Sequence, residues 1–142
     1  MPVYNYRLPF NRPHTIGEAM EMVAQGYPRQ VVFGDFADWL YLDTNKEKVR
    51  QAIAEKPTVD ISSAELYYEY VDYLSFGEWL ANRVGISVPK WIATDTSSIP
   101  DIYYTPKMLE YRNRMLADFS DRAIPEYKRR GIYMTENNLA RG

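Results

Sequence analysis

Apolar positions recur every three or four residues through most of this chain, and the recurrence is longest between Ser62 and Trp91. There Leu66, Tyr70, Val71, Leu74, Trp79, Leu80 and Val84 follow helical spacing, which predicts an amphipathic helix. Ser62 and Glu65 make a capping-box pair at its start, and Gly85 supplies a left-handed stop before Pro89 and Trp91 turn the chain away. Gly77 leaves two shorter helices as an alternative to one long one. Glu65, Glu69 and Asp72 fall at i, i+4 and i+7 on the same segment. They read as a solvated acidic face, with docking to a basic partner as the alternative.

The same spacing places the other elements. Thr15 and Glu18 form a capping box that opens a helix with Ile16, Ala19, Met20 and Val23 on one face, and Gly26 stops it. Beyond Pro28, the residues Val32, Phe33, Phe36, Trp39 and Leu40 predict a second helix. The helix is expected despite Gly34, which costs about 1 kcal/mol relative to Ala, with the start of a strand at Val31 to Phe33 as the alternative. Thr44 and Glu47 open a short helix with Val49, Ala52 and Ile53 inward, ending ahead of Pro57. Residues 92–104 hold turn formers without a period and read as a loop.

Thr105 and Pro106 open a further helix, with Leu109, Met115, Leu116 and Phe119 on its apolar side and Arg112 and Arg114 on its polar side. Pro125 begins a short basic turn closed by Gly131. Ile132 to Met134 are extended, and Thr135 caps a last turn carrying Leu139. At the other end, Pro2, Pro9 and Pro13 stand among Tyr4, Tyr6, Leu8 and Phe10. Prolines at that density forbid a regular helix and predict an extended arm. The expectation is a mainly α fold, a compact bundle of about five to seven helices. Residues 1–14 form the arm and residues 15–142 a single helical domain.

Composition bears more on function than on fold. A hydrophobic content of 46% and a charged content of 25% describe a globular protein. The net charge of -2 provides no global basic field, so nucleic acid is disfavoured as a partner. With no cysteine, disulfides, thiol catalysis and thiolate metal sites are excluded. No apolar run approaches a membrane span and no stretch reads as a signal peptide, so a cytoplasmic location without membrane attachment is expected. The 13 tyrosines leave two readings, a Tyr-rich binding face or a core with Tyr at its rim, and the second is expected.

Candidate chemistry is sparse. Asp35, Asp38 and Asp43 lie close together but lack the oxygen-rich loop of a hard-cation site, so a solvated face and no metal are expected. Ser97 and Ser98 beside Asp95 and Asp101 resemble a nucleophile cluster only if His14, the single histidine, folds across to them. Lys128, Arg129 and Arg130 form the compact basic run. They are expected to cap carbonyls, pair with acidic helix faces or remain solvated, since a nucleic-acid footprint needs roughly six phosphate contacts. No phosphate loop or metal-ligand spacing is present, so neither a cofactor nor catalysis is expected.

The tail IPEYKRRGIYMTENNLARG resembles the C-terminal signature of a family of small bacterial proteins. In that signature a proline and an aromatic precede a basic run, then Gly-Ile, an extended stretch, Leu and Arg. Upstream, GISVPKW at Gly85 to Trp91 resembles the family's Gly-Leu-Pro-Val-Pro-x-Trp element. The segment from Pro28 through Phe36, Asp38 and Leu40 resembles its Asp-Phe element. Together these cover most of the chain from about residue 15 onward. Tyr127 and Lys128 are mild departures from Phe and Arg.

Members of that family often carry a helix-turn-helix domain ahead of this region and are encoded beside a nucleotidyltransferase-like protein. The resemblance therefore implies an antitoxin-like interaction module that binds or neutralises a nucleotidyltransferase-like toxin. The proline-aromatic arm stands where the helix-turn-helix domain would be, so DNA binding is not expected to carry over. No catalytic residues transfer, because the family has none assigned. The expected partner-binding residues are Tyr4, Tyr6 and Phe10 of the arm, and Tyr127, Arg129, Arg130 and Tyr133 of the tail. The alternative is a nucleic-acid-binding accessory domain working through Arg112, Arg114, Lys128, Arg129 and Arg130. Homo-oligomerisation is left open.

Overall fold

A computed structural model describes residues 12–41, 45–99, 122–136 and 139. Its helices are α1 (Ile16–Ala24), α2 (Arg29–Tyr41), α3 (Lys46–Ile53), α4 (Ala64–Val84), α5 (Lys90–Ala93) and α6 (Pro125–Lys128). The fold is mainly α, as the periodicity predicts. Ala123 and Thr135 form an isolated antiparallel bridge. No described helix is long and apolar enough to cross a membrane. The arm at residues 1–11 and the helix expected after Thr105 lie outside the described residues.

The caps show why the helices begin where they do. Thr15 Oγ1 accepts from the Glu18 amide at 3.0 Å, as expected. The Glu18 carboxylate accepts from the amide of His14 at 2.8 Å, one residue ahead of the expected cap amide. α3 is capped by Asn45, whose side chain accepts from the Glu47 amide at 2.8 Å, and not by the expected Thr44 box. α4 is capped by Ser63, whose Oγ accepts from the Leu66 amide at 3.2 Å. Ser62 instead donates its own amide to Asp60 at 3.0 Å, in a turn that delivers the chain to the cap. Each correction moves a cap by one residue. Any of these short polar side chains can take the role, since each places an acceptor oxygen within reach of a free first-turn amide.

α4 is a single helix of 21 residues, about 31 Å long at a rise of 1.5 Å per residue, and it continues through Gly77. It ends at Gly85, whose φ of 79° lets the chain leave in the left-handed conformation. The helices α1, α3, α5 and α6 all pack on it. Consequently almost every position from Glu69 to Ala81 is buried, on all sides of the helix. The expected one-sided apolar stripe becomes an encircled core helix.

The packing is densest around Gly77. A Cβ there would stand 2.8 Å from Ile92 Cδ1, 3.3 Å from Ile16 Cδ1 and 3.7 Å from Ile53 Cγ2. Glycine therefore marks the point where α1, α3 and α5 converge on α4. Phe36 and Tyr73 are buried, and with the half-buried Phe33 and buried Phe76 they form a ring cluster that joins α2 to α4. Trp91 of α5 donates its indole N–H to the Ile53 carbonyl at 2.9 Å, satisfying an acceptor at the end of α3. Of the tyrosines described with side chains, Tyr70, Tyr73, Tyr127 and Tyr133 are buried and Tyr27, Tyr67 and Tyr68 are half-buried. These rings build the core and its rim.

Two glycines on the same scaffold predict opposite outcomes. Gly77→Ala forces the Ile92 methyl aside and is expected to destabilise the fold by about 1–3 kcal/mol. Gly34→Ala in α2 meets no atom within 4 Å and is expected to stabilise it by about 0.5–1 kcal/mol. Urea unfolding of the two variants measures both signs.

Candidate functional site

The C-terminal tail docks on the second half of α4 through charge. Pro125 starts α6, and Gly131, with φ of 85°, ends that turn. Its position is tight: a Cβ on Gly131 would lie 2.4 Å from the Ile99 carbonyl oxygen. The Ile99 amide donates to the Arg130 carbonyl at 2.8 Å, and the Ile124 amide donates to the Met134 carbonyl at 2.8 Å. The tail thus folds back on itself and against the 95–99 loop. The Leu139 amide donates to the Thr135 carbonyl at 3.0 Å, completing the expected last turn, and Leu139 is buried.

Within this unit Glu78 of α4 receives both arginines. Arg130 Nη1 lies 2.7 Å from Glu78 Oε1 and also donates to the Glu126 carbonyl at 2.8 Å. Arg129 donates to the same Glu78 oxygen. Burial alone opposes charge on Glu78, but the hydrogen bonds from Arg129 and Arg130 outweigh it and hold the carboxyl below its ordinary range.

The candidate interface residues therefore divide. Tyr127, Tyr133 and Arg130 are buried within the chain and help build its own fold. Arg129 has 57% of its side chain exposed and is the one of the four still open to solvent. Tyr4, Tyr6 and Phe10 lie outside the described residues, as do Arg112 and Arg114 of the nucleic-acid alternative. Lys128 is exposed on α6.

A cleft of about 360 Å³ opens beside this junction, lined by Trp79, Asn82, Arg83, Ile124, Glu126 and Glu136, among others. Asn82 donates its side-chain amide to Glu126 at 2.7 Å, closing one wall. The Arg83 guanidinium stands 5.0 Å above the Trp79 ring. Glu78, which pairs with Arg129, lies one helical turn from Asn82 of the cleft wall. Sequence spacing missed the cleft because its walls come from residues more than forty positions apart, as in the Asn82–Glu126 pair.

A second polar cluster lies at the other end of α4. Arg29, the first residue of α2, places Nε 2.6 Å from Glu69 Oε2 and Nη2 3.5 Å from Asp72 Oδ2. Its guanidinium also stands 5.0 Å from the centroid of the Tyr68 ring. Glu69 is buried, and the Asp72 side chain is 15% exposed. The acidic stripe expected to be solvated is thus turned inward except at Glu65, because α2 delivers a cation to it. Spacing along α4 alone carries no signal of that.

Asp95 and Ser98 are hydrogen-bonded to α4, and Ser97 to Asp95. Asp95 accepts from the Tyr70 hydroxyl and, at 2.8 Å, from the Ser97 amide. Tyr67 bonds both the carbonyl and the amide of Ser98 at 2.9 and 3.2 Å. These bonds strap the loop to α4. His14 stacks on Trp39 at 4.2 Å, with Lys48 also 4.2 Å from the Trp39 ring. Asp35 is half-buried and raised above the ordinary carboxylate range, first by burial and then by Asp38, against Arg12. Asp43 lies outside the described residues. Among the described residues, no group of three or more His, Asp or Glu could hold a metal ion. No family model, curated protein or solved structure matches the chain.

The Glu78 junction predicts unequal effects of its members. Glu78→Gln leaves the buried Arg130 charge unpaired and is expected to cost about 3 kcal/mol in urea unfolding. Arg129→Ala, at an exposed position, is expected to cost no more than about 1 kcal/mol. The folded pKa of Glu78 lies below its unfolded value, so its contribution is present above the ordinary carboxylate range. It is lost as pH falls through the depressed value, and Glu78→Gln is expected to remove that part of the acid dependence.

Proposed function

We propose that this protein is an antitoxin-like interaction module that binds and neutralises a nucleotidyltransferase-like toxin. One observation supports the reading: the signature residues of the tail are spent on building a rigid, folded-back unit. Tyr127, Ile132 and Tyr133 are buried, Arg130 is tied to Glu78, and Gly131 fits against Ile99. The corresponding upstream element supplies Gly85 as the helix stop and Trp91 as the tie to α3. Residues with such structural tasks suit a scaffold whose outer surface does the work, and no reaction is needed to explain them.

The partner-facing surface in this proposal is the cleft beside α6, with exposed Arg129 and the aromatic arm as further contacts. Arginine and tryptophan contribute strongly to interface cores because they combine large contact area with directed hydrogen bonds. Exposed Arg83, with its guanidinium held over Trp79, places those two groups together, and Arg129 adds a second exposed guanidinium. Neutralisation then follows from covering the toxin's substrate cleft or holding its catalytic carboxylates away from metal.

Co-expression with the product of the neighbouring gene tests the proposal. The expected outcome is co-purification of a stable complex and rescue of growth from a partner that is toxic alone. Arg83→Ala combined with Arg129→Ala is expected to weaken the complex at least tenfold while leaving the fold intact. Separate elution together with a partner that is harmless alone would sink the reading.

A further inference from the structure

The α2–α4 seam holds two carboxylates for one guanidinium. Glu69 takes the short bond from Arg29, at 2.6 Å, while Asp72 is left with the longer 3.5 Å approach. The other Asp72 oxygen, Oδ1, is shielded from solvent and has no hydrogen-bond partner. The Tyr73 hydroxyl next along the helix is in the same condition, on a side chain that is only 1% exposed. A buried carboxylate oxygen without a donor is costly, and gaining a proton is the least disruptive remedy. Glu69 already has a charge-assisted donor, so the need falls on Asp72.

We propose that Asp72 holds a proton in the folded protein, and that the packing of α2 against α4 is thereby coupled to pH. The titratable groups that act on Asp72 are Glu69 on its own helix and Arg29 on α2, with Tyr73 and Tyr68 at the edge of the same cluster. Burial, and then the Glu69 charge, push the Asp72 carboxyl up to about 7 against the pull of Arg29. Burial also raises Glu69, with Arg29 opposing.

The sign follows from linkage. A carboxyl whose folded pKa exceeds its unfolded one binds its proton more tightly in the folded state, so the proton stabilises the fold. That stabilisation is complete below the ordinary carboxylate range and is lost as pH rises to about 7. Through this window one proton is released per unfolding event, so the folding constant falls about tenfold per pH unit. Glu78 and Asp95 act in the opposite sense and at lower pH, because both are held below the ordinary range.

Carbon-detected NMR titration of the Asp72 side chain in the full wild-type protein is the direct test. The expected midpoint lies near neutrality; a midpoint in the ordinary carboxylate range overturns the proposal. Urea unfolding between about pH 4.5 and 6.5 is the second measurement, with a slope near tenfold per unit expected for wild type. Asp72→Asn is expected to flatten that slope by about one proton, and Tyr73→Phe to leave it in place. An unchanged slope in Asp72→Asn, or one abolished by Tyr73→Phe, assigns the proton elsewhere and overturns the proposal. Should Asp72→Asn not fold, the wild-type titration decides alone.

Discussion

The encirclement of α4 is the constraint on which the rest depends. A helix packed on one side can leave its polar residues in water. Once α1, α3, α5 and α6 surround it, each polar side chain on α4 needs a partner from within the chain. Ser75 solves this locally by donating to the Val71 carbonyl at 2.9 Å. Others recruit distant segments: Tyr67 and Tyr70 hold the 95–98 loop, Glu69 and Asp72 draw on Arg29, and Glu78 draws on Arg129 and Arg130, whereas the Tyr73 hydroxyl is left without a partner. The loop, the start of α2 and the tail are each placed by a polar demand of the central helix. Apolar packing around Gly77 provides the compactness, and these bonds specify which surface meets which.

The two ionic clusters at the ends of α4 are opposites in charge balance. At the tail, two guanidiniums serve one carboxylate; at α2, one guanidinium serves two carboxylates. The surplus of cations holds Glu78 ionised to lower pH, whereas the surplus of anions favours a proton on Asp72. The first cluster is weakened by acid and the second by alkali.

The folded-back tail changes where an interaction surface can be. Of the tail residues expected to contact a partner, Tyr127, Arg130 and Tyr133 are interior, and their removal would damage the fold before it touched any contact. What the tail offers outward is Arg129 and the wall of a cleft shared with Trp79, Asn82 and Arg83. A surface assembled in this way is rigid, since Arg130, Gly131 and Ile99 lock its backbone. Rigid presentation lowers the ordering cost of association.

Sequence alone determined what depends on neighbours along the chain. Helical spacing placed α1 to α4, and the left-handed stops at Gly26, Gly85 and Gly131 were legible because only local backbone geometry is involved. The pairing of the basic run with an acidic helix face was among the sequence expectations, since a lone compact charge cluster has few other stable outcomes. Tertiary structure decided the rest. It shifted caps by one residue, to Asn45 and Ser63. It turned Glu69 and Asp72 from a solvated stripe into a buried cluster, because the cation that permits their burial sits forty positions from Glu69. It also set Tyr127, Arg130 and Tyr133 inward, since whether a tyrosine or an arginine faces water depends on what packs over it and not on its spacing.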